Sequence, residues 1–370
     1  MIDERAPGEG LPEGFLELPG LIYGHDEQWI PEDSEAVGRA FALENPWFSQ
    51  GRAVLLAVPG AARLALFFQP GLSVEGRSVA FFGYWESAGV DAADAQVFER
   101  AAELARSWGA EEIYGPINFT TFGNYRLRLS CEPGGYTFPD EPYNPSRYSS
   151  LLEGAGFELD QMYLTQVGNI ETGRVVREWK RPEQEALLLS GYRIDTLTHA
   201  LWMDSLPELH GLVDHIFGRN FAYSPLSYES FADKCGESFI RRACPHTSVM
   251  AWGPEGDVAG FFLVYPHYGP LVVQGAGEGR VPVSSLDFEQ HNEALTALPW
   301  RGCVAKTVGV SPVHRGKGVM GALTVSVFDR GDGRYENWFG AMIRKGNLSR
   351  NYADGNIDGE RWYGLFRKRL

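Results

Sequence analysis

One stretch limits what this chain can fold into more than any other: Lys306-Thr-Val-Gly-Val-Ser-Pro-Val-His-Arg-Gly-Lys-Gly-Val-Met-Gly-Ala-Leu323. The apolar run from Val304 to Val310 reads as a strand. Ser311-Pro312 ends it, because proline has no N–H to give a sheet ladder. Arg315, Gly316, Lys317, Gly318 and Gly321 then lead into Val319, Leu323 and Val327 at helical spacing. A helix that starts from such a turn offers unpaired N–H groups and the positive end of its dipole. Residues without Cβ let that backbone close around an anion such as a phosphate.

Other phosphate-binding and catalytic patterns do not fit. Lys317 has no Gly-x-x-x-x-Gly before it and is followed by Gly318 rather than Ser or Thr, so this is no Walker A loop. A dinucleotide fold would place the turn after its first strand, with an acid about 20 residues on. Ser326 and the other serines sit in no Gly-x-Ser-x-Gly elbow.

The stretch resembles the acetyl-CoA pyrophosphate loop of the GNAT acyltransferase superfamily, Gln/Arg-x-x-Gly-x-Gly/Ala after the fourth strand. Here it reads Arg315-Gly-Lys-Gly318-Val-Met320, with Met at the sixth position and Gly321 just after. The resemblance implies an acyl-CoA, acetyl-CoA or another, held by Arg315 to Gly321. It implies that the Val308 N–H polarises the acyl carbonyl and the Val310 N–H holds the pantetheine arm. Asn347 would hold that arm further along, and Tyr352 would protonate the departing thiolate. An ordinary phenol pKa of about 10 suits that role. Asn347 reads equally as a helix N-cap, and Tyr352 as a packing residue. The family often draws a base glutamate from the fourth strand. Lys306 and Thr307 stand there instead, so no base is identified. His314 is expected to face phosphate or solvent.

The chain has 370 residues, too many for one compact core. The expected fold class is α/β (α+β), two GNAT-like domains, each a mixed, mostly antiparallel sheet flanked by helices. The expected division is 1–172 as a degenerate copy, 173–191 as a charged linker and 192–370 as the acyl-CoA-binding copy. The first copy is identified by Phe81-Phe-Gly-Tyr-Trp-Glu86, Gly115-Pro-Ile-Asn118, Tyr143-Asn-Pro and Leu152-Glu-Gly-Ala-Gly-Phe157. Its turn from Glu86 to Asp94 carries no Arg-x-x-Gly-x-Gly, so no second phosphate cradle is expected.

Residues up to Gly10 read as a loose leader, and Gly14 to Tyr23 as a strand region. Helices are expected over Ser34–Leu43, Ala92–Trp108, Ser205–Phe217 and Ser227–Lys234. Strands are expected at Val54–Val58, Ala65–Phe68, Val79–Trp85, Val258–Tyr265, Asn337–Ile343 and Arg361–Arg367. A short helix is expected over Asn347–Asp354.

A net charge of −15 opposes binding to nucleic acid or an anionic membrane and suits attraction of a cationic amine. Cys131, Cys235, Cys244 and Cys303 show neither zinc nor disulfide spacing, so no metal is expected. The acidic N-terminus is no signal peptide, and the expected location is cytoplasmic. The activity implied is acyl transfer to an amine of a small molecule. A non-catalytic acyl-CoA-binding protein and an aminoacyl-tRNA-dependent transferase are the alternatives.

Overall fold

The computed structural model describes residues 1–130, 134–353 and 355–370. The first half runs β1 (Asp3–Arg5), α1 (Glu17–Tyr23), α2 (Ser34–Ala40), β2 (Arg52–Val58), β3 (Ala62–Val74) and β4 (Arg77–Ser87). It continues through α3 (Asp91–Ser107), β5 (Glu112–Gly115), β6 (Leu127–Arg128), α4 (Tyr148–Gly154) and β7 (Glu158–Asn169). The second half opens with α5 (Ile170–Leu189), β8 (Arg193–Thr196), α6 (His199–Phe217), α7 (Tyr228–Cys235) and α8 (Glu237–Ile240). Then come β9 (Val249–Trp252), β10 (Val258–Pro266), α9 (Gly269–Val272), α10 (Phe288–Thr296), β11 (Gly302–Val310), α11 (Val319–Gly331), β12 (Asn337–Arg344) and β13 (Gly359–Arg369).

Local chemistry explains most of these elements. Pro59-Gly60 turns β2 into β3, with Gly60 at φ 70° where a Cβ would be strained. In α3, Val97, Ala101 and Ala105 bury one face against the sheet, and Asp91 and Asp94 sit in the first turn, where the helix dipole favours negative charge. The same residue pattern in α11 buries Val319, Ala322 and Leu323 against β10 and β11.

All the described strands join one sheet, in the order β1-β2-β3-β4-β5-β13-β7-β12-β11-β10-β9-β8, with β6 beside β13. The two halves exchange strands at its centre. The last strand of the chain, β13, lies between β5 and β7, and β7 lies between β13 and β12. A buried ion pair pins the crossing. Arg361 of β13 meets both oxygens of Glu141 at 3.0 and 2.9 Å, and Tyr363 donates to the same carboxylate at 2.5 Å. Each charge is thus paired and hydrogen-bonded, the condition for burying it.

Several expectations are corrected here. Gly14–Tyr23 forms a turn and α1, since Pro19 in a helix's first turn removes only an N–H that has no intrahelical partner. The supposed leader contributes edge strand β1, paired with β2. Residues 173–191 lie almost wholly in α5, a 20-residue helix with an Asn169–Thr172 capping box, packed on α11. The stretch after β12 is a 3-10 turn over Leu348–Tyr352, and Asp354 lies outside the described residues, as does Cys131. Among the described residues no helix is long and apolar enough to cross a membrane.

Candidate functional site

The decisive geometry is a divergence in the middle of the sheet. β11 and β12 run parallel and pair only from Gly302↔Asn337 to Ala305↔Gly340. Beyond that point β11 stays with β10 as far as Val310, whereas β12 follows β7 to Arg344↔Tyr163. The Ser311 N–H donates to Ala259 O at 2.9 Å, so alternation turns the Gly309 N–H toward β10 as well. The N–H groups of Val308 and Val310 therefore point away from β10, into the gap that β12 has left.

The basic glycine turn closes one end of this gap. Gly316 and Gly318 sit at φ 75° and 86°, and Gly318 is the N-cap of α11. Arg315 is exposed. Its Nε reaches Val310 O at 3.4 Å and its Nη2 reaches Ile216 O at the end of α6 at 3.3 Å, which leaves its charge available. Lys317 is exposed too, while Val319 is buried and Met320 lines the gap. A Cβ on Gly321 would fall 1.9 Å from Glu183 Oε2 of α5, so the small residue is needed here, one place later than the family pattern has it. Glu183 is itself paired with Lys180 at 2.9 Å. His314 does not face phosphate or solvent. It is buried, with Nδ1 at 2.9 Å from Tyr192 Oη and Nε2 at 2.7 Å from Asp257 Oδ2.

Tyr352 sits at the apex of the divergence, buried against Trp338. Its hydroxyl finds no hydrogen-bond partner among the described residues. A Cβ on Gly340 would lie 2.2 Å from that oxygen, so the glycine makes room for it. Burial pushes the phenol well above its usual pKa, with Cys303 adding to the effect. Asn347 caps the 3-10 turn by accepting from the Ser349 N–H at 3.0 Å, and it also lines the gap.

The first half has the same divergence, but there it is closed. β4 and β5 pair only from Val79↔Glu112 to Phe81↔Tyr114. After the break the chain folds back into the opening. The Ile117 N–H donates to Phe82 O at 2.7 Å, and Asn118 Oδ1 accepts from the Tyr84 N–H at 2.9 Å. The N-terminus of α3 carries Asp91 and Asp94, and Asp94 accepts from Ser87 Oγ at 2.6 Å. A phosphate would meet carboxylates there.

In front of the open gap lies a cavity of about 520 Å³ walled by α6, α7, β11, β12 and the loop 121–126. It shares Tyr125, Arg126, Asp140 and Arg242 with a second cavity of about 710 Å³ lined mostly by the first half, with Arg241, Val283 and Ser284 of the second. Asp140 stands where they meet. Burial works to raise its pKa, yet Lys306 at 3.2 Å and Arg242 at 3.5 Å hold it down at about 2. Glu86, deeper in the second cavity, accepts from the Tyr23 and Tyr148 hydroxyls at 2.7 Å each. Burial lifts its pKa to about 7 against the pull of Arg63. Sequence reasoning missed Arg126, Asp140 and Glu86. The Phe-Phe-Gly-Tyr-Trp-Glu86 string was the only local signal for any of them.

No family model and no curated protein matches this sequence. Solved structures do match. A tandem GNAT protein from the clavulanic acid biosynthesis pathway is 11% identical, over 100% of this chain and 98% of that one, with a TM-score of 0.53. A GCN5-related N-acetyltransferase from Anabaena variabilis is 10% identical, over 99% and 72%, with a TM-score of 0.51. A glucosamine N-acetyltransferase region of a fungal multi-domain β-N-acetylglucosaminidase is 13% identical, over 99% and 38%, with a TM-score of 0.54. Such identities speak to fold alone. The chain therefore has the fold of a tandem GCN5-related N-acetyltransferase, two GNAT-like halves in one sheet, with one divergence open and the other closed.

Proposed function

We propose that this protein transfers an acyl group from an acyl-CoA to the amine of a small molecule, using the open divergence of the second half. The observation that carries the proposal is the pair of N–H groups at Val308 and Val310 that face the gap, with Val308 lining the same cavity as Tyr352, whose hydroxyl has no hydrogen-bond partner among the described residues. Backbone donors fixed in a gap can stabilise charge on a carbonyl oxygen without reorganising. In this reading Val308 polarises the acyl carbonyl and Val310 holds the pantetheine arm. Arg315, Gly316, Lys317, Gly318, Val319, Met320 and Gly321 receive the pyrophosphate, with Asn347 beside the arm. Tyr352 gives its proton to the leaving sulfur. The acyl-CoA supplies the activated thioester, and acetyl-CoA is the first to test. The acceptor amine enters from the cavity in front of β11 and releases its proton to solvent there, since Lys306 and Thr307 occupy the place of a base. The first half acts as a non-catalytic copy that walls the acceptor cleft.

The test is calorimetric titration with acetyl-CoA, longer acyl-CoAs and free CoA. Wild type should bind saturably, and Arg315→Glu combined with Gly318→Asp should weaken binding at least tenfold. A folded wild type that binds none of them sinks the proposal. Binding without turnover on any amine would leave only a binding module.

A further inference from the structure

Arg126 is the least expected charge in the molecule. It lies on the loop between β5 and β6, is 8% exposed, and lines both cavities where they join. Its Nη1 reaches Met342 Sδ at 3.3 Å, and its Nη2 reaches Met342 O at 3.4 Å and the Tyr125 hydroxyl. The guanidinium lies over the Tyr125 and Tyr163 rings at 3.5 and 4.1 Å. Its Nε has no hydrogen-bond partner, and no carboxylate pairs with it among the described residues. A buried cation is costly unless something anionic balances it.

The neighbouring carboxylates are already engaged. Asp140 is shared between Lys306 and Arg242, and Glu141 is held by Arg361 and Tyr363. Three cations, Arg126, Arg242 and Lys306, thus face a single carboxylate, the already paired Asp140, where the two cavities join. The backbone holds Arg126 in place at φ 90°, a region non-glycine residues rarely adopt, with its N–H bonded to Pro116 O at 2.9 Å. The placement is close to the chemistry. Met342 lies on β12 just past the divergence, and Lys306 lies two residues before Val308 on β11.

We propose that this cleft binds a small anionic group, a carboxylate or a phosphate, on Arg126, with Lys306 and Arg242 beside it. Taken with the acyl-transfer reading, on which this part rests, the acceptor is an amine that also carries an acidic group. A planar guanidinium that meets its anion with two N–H donors gives orientation as well as charge. The overall acidic balance of the chain, which favours a cationic partner, is reversed locally at this junction.

The test uses the full chain at low salt, titrated with inorganic phosphate, with succinate and with its neutral analogue succinamide. Acetyl-CoA is titrated in parallel. Wild type should bind phosphate or succinate saturably and succinamide at least tenfold more weakly. The tighter of the two anions assigns the class of acidic group. Arg126→Met should lose at least tenfold in anion affinity, Arg126→Lys should keep part of it, and acetyl-CoA affinity should move less than twofold in both. Arg315→Glu should leave the Arg126-dependent binding in place, which separates this site from the glycine turn. If wild type binds both anions no better than succinamide, or if Arg126→Met binds them as wild type does, the proposal is overturned. Should Arg126→Met fail to fold, the wild-type comparison with succinamide still decides. Anion binding without acetyl-CoA binding would refute the acyl-transfer reading and leave the anion site standing.

Discussion

Replacing Tyr352 by Phe separates stability from activity at one atom. The ring is buried against Trp338, and the hydroxyl has no partner among the described residues. Phe keeps the shape and removes only that oxygen. A buried hydroxyl left unpaired costs about 1–3 kcal/mol, so Tyr352→Phe should stabilise the protein by about 1 kcal/mol. In urea unfolding the midpoint should rise with an unchanged slope. Turnover should fall about a hundredfold, the lower end of what a positioned general acid contributes, with little change in acyl-CoA affinity. Because burial pushes the phenol up, its ionisation should add no limb to the pH–rate profile below about pH 10. A loss of stability of 1 kcal/mol or more would mean that the hydroxyl is satisfied in the folded protein. A gain in stability with unchanged turnover would reduce Tyr352 to packing and remove it from the mechanism.

Two further perturbations read other parts of the same argument. Gly340→Ala places a Cβ 2.2 Å from the Tyr352 hydroxyl and 3.0 Å from Cζ, and should cost about 1–3 kcal/mol in urea unfolding. The cost should shrink in the Tyr352→Phe background, and equal costs in both would refute the contact. For Glu86, the folded pKa of about 7 lies above the ordinary 4.5, so between those values the native state holds a proton that the unfolded chain has lost. Relative to Glu86→Gln, wild type should lose up to about 3 kcal/mol as pH rises through that window. His267, which burial depresses to about 3, titrates in the opposite sense and cancels in the difference. Identical pH slopes for the two proteins would rule out an enclosed, proton-holding Glu86.

What the sequence made legible follows from what is local. Val304 to Leu323 announced a strand, a basic glycine turn and a helix because proline, glycine and apolar period all act within a few residues. The missing Arg-x-x-Gly-x-Gly after Glu86 marked the first copy as lacking a phosphate cradle, but that its divergence is closed, by Ile117 N and Asn118 Oδ1, needed the folded chain to be seen. His314 sat in a basic loop and read as facing phosphate or solvent. Its burial is imposed by Tyr192 and Asp257, which lie 122 and 57 residues away. Arg126 belongs to no motif. Only the convergence of a loop from one half with β12 from the other leaves it without a counter-ion among the described residues. The charge of residues 173–191 suggested a linker between the halves; in α5 Val176 and Leu187 are buried while charged residues pair along the exposed side.

The strand exchange was the least legible feature, because pairing partners far apart in sequence leave no periodic trace. It also bears on whether the expected division at 192 is a division into units that can stand alone. Without β7, the second half would expose the edge of β12 from Asn337 to Arg344, and β13 would lose every pairing, since among the described strands it pairs only with β5, β6 and β7. α11 would lose α5, whose Val176 lies in its core cluster. A long unpaired edge beside an apolar core favours aggregation over folding. Residues 192–370 expressed alone should therefore fail to give a cooperative thermal transition, and co-expression with residues 1–191 should restore one. A soluble 192–370 fragment that melts cooperatively and binds acetyl-CoA would show that the exchanged strands are dispensable. The two halves would then be joined by convenience. The expected failure would mean that the closed half persists because it supplies the strand that holds the open one apart.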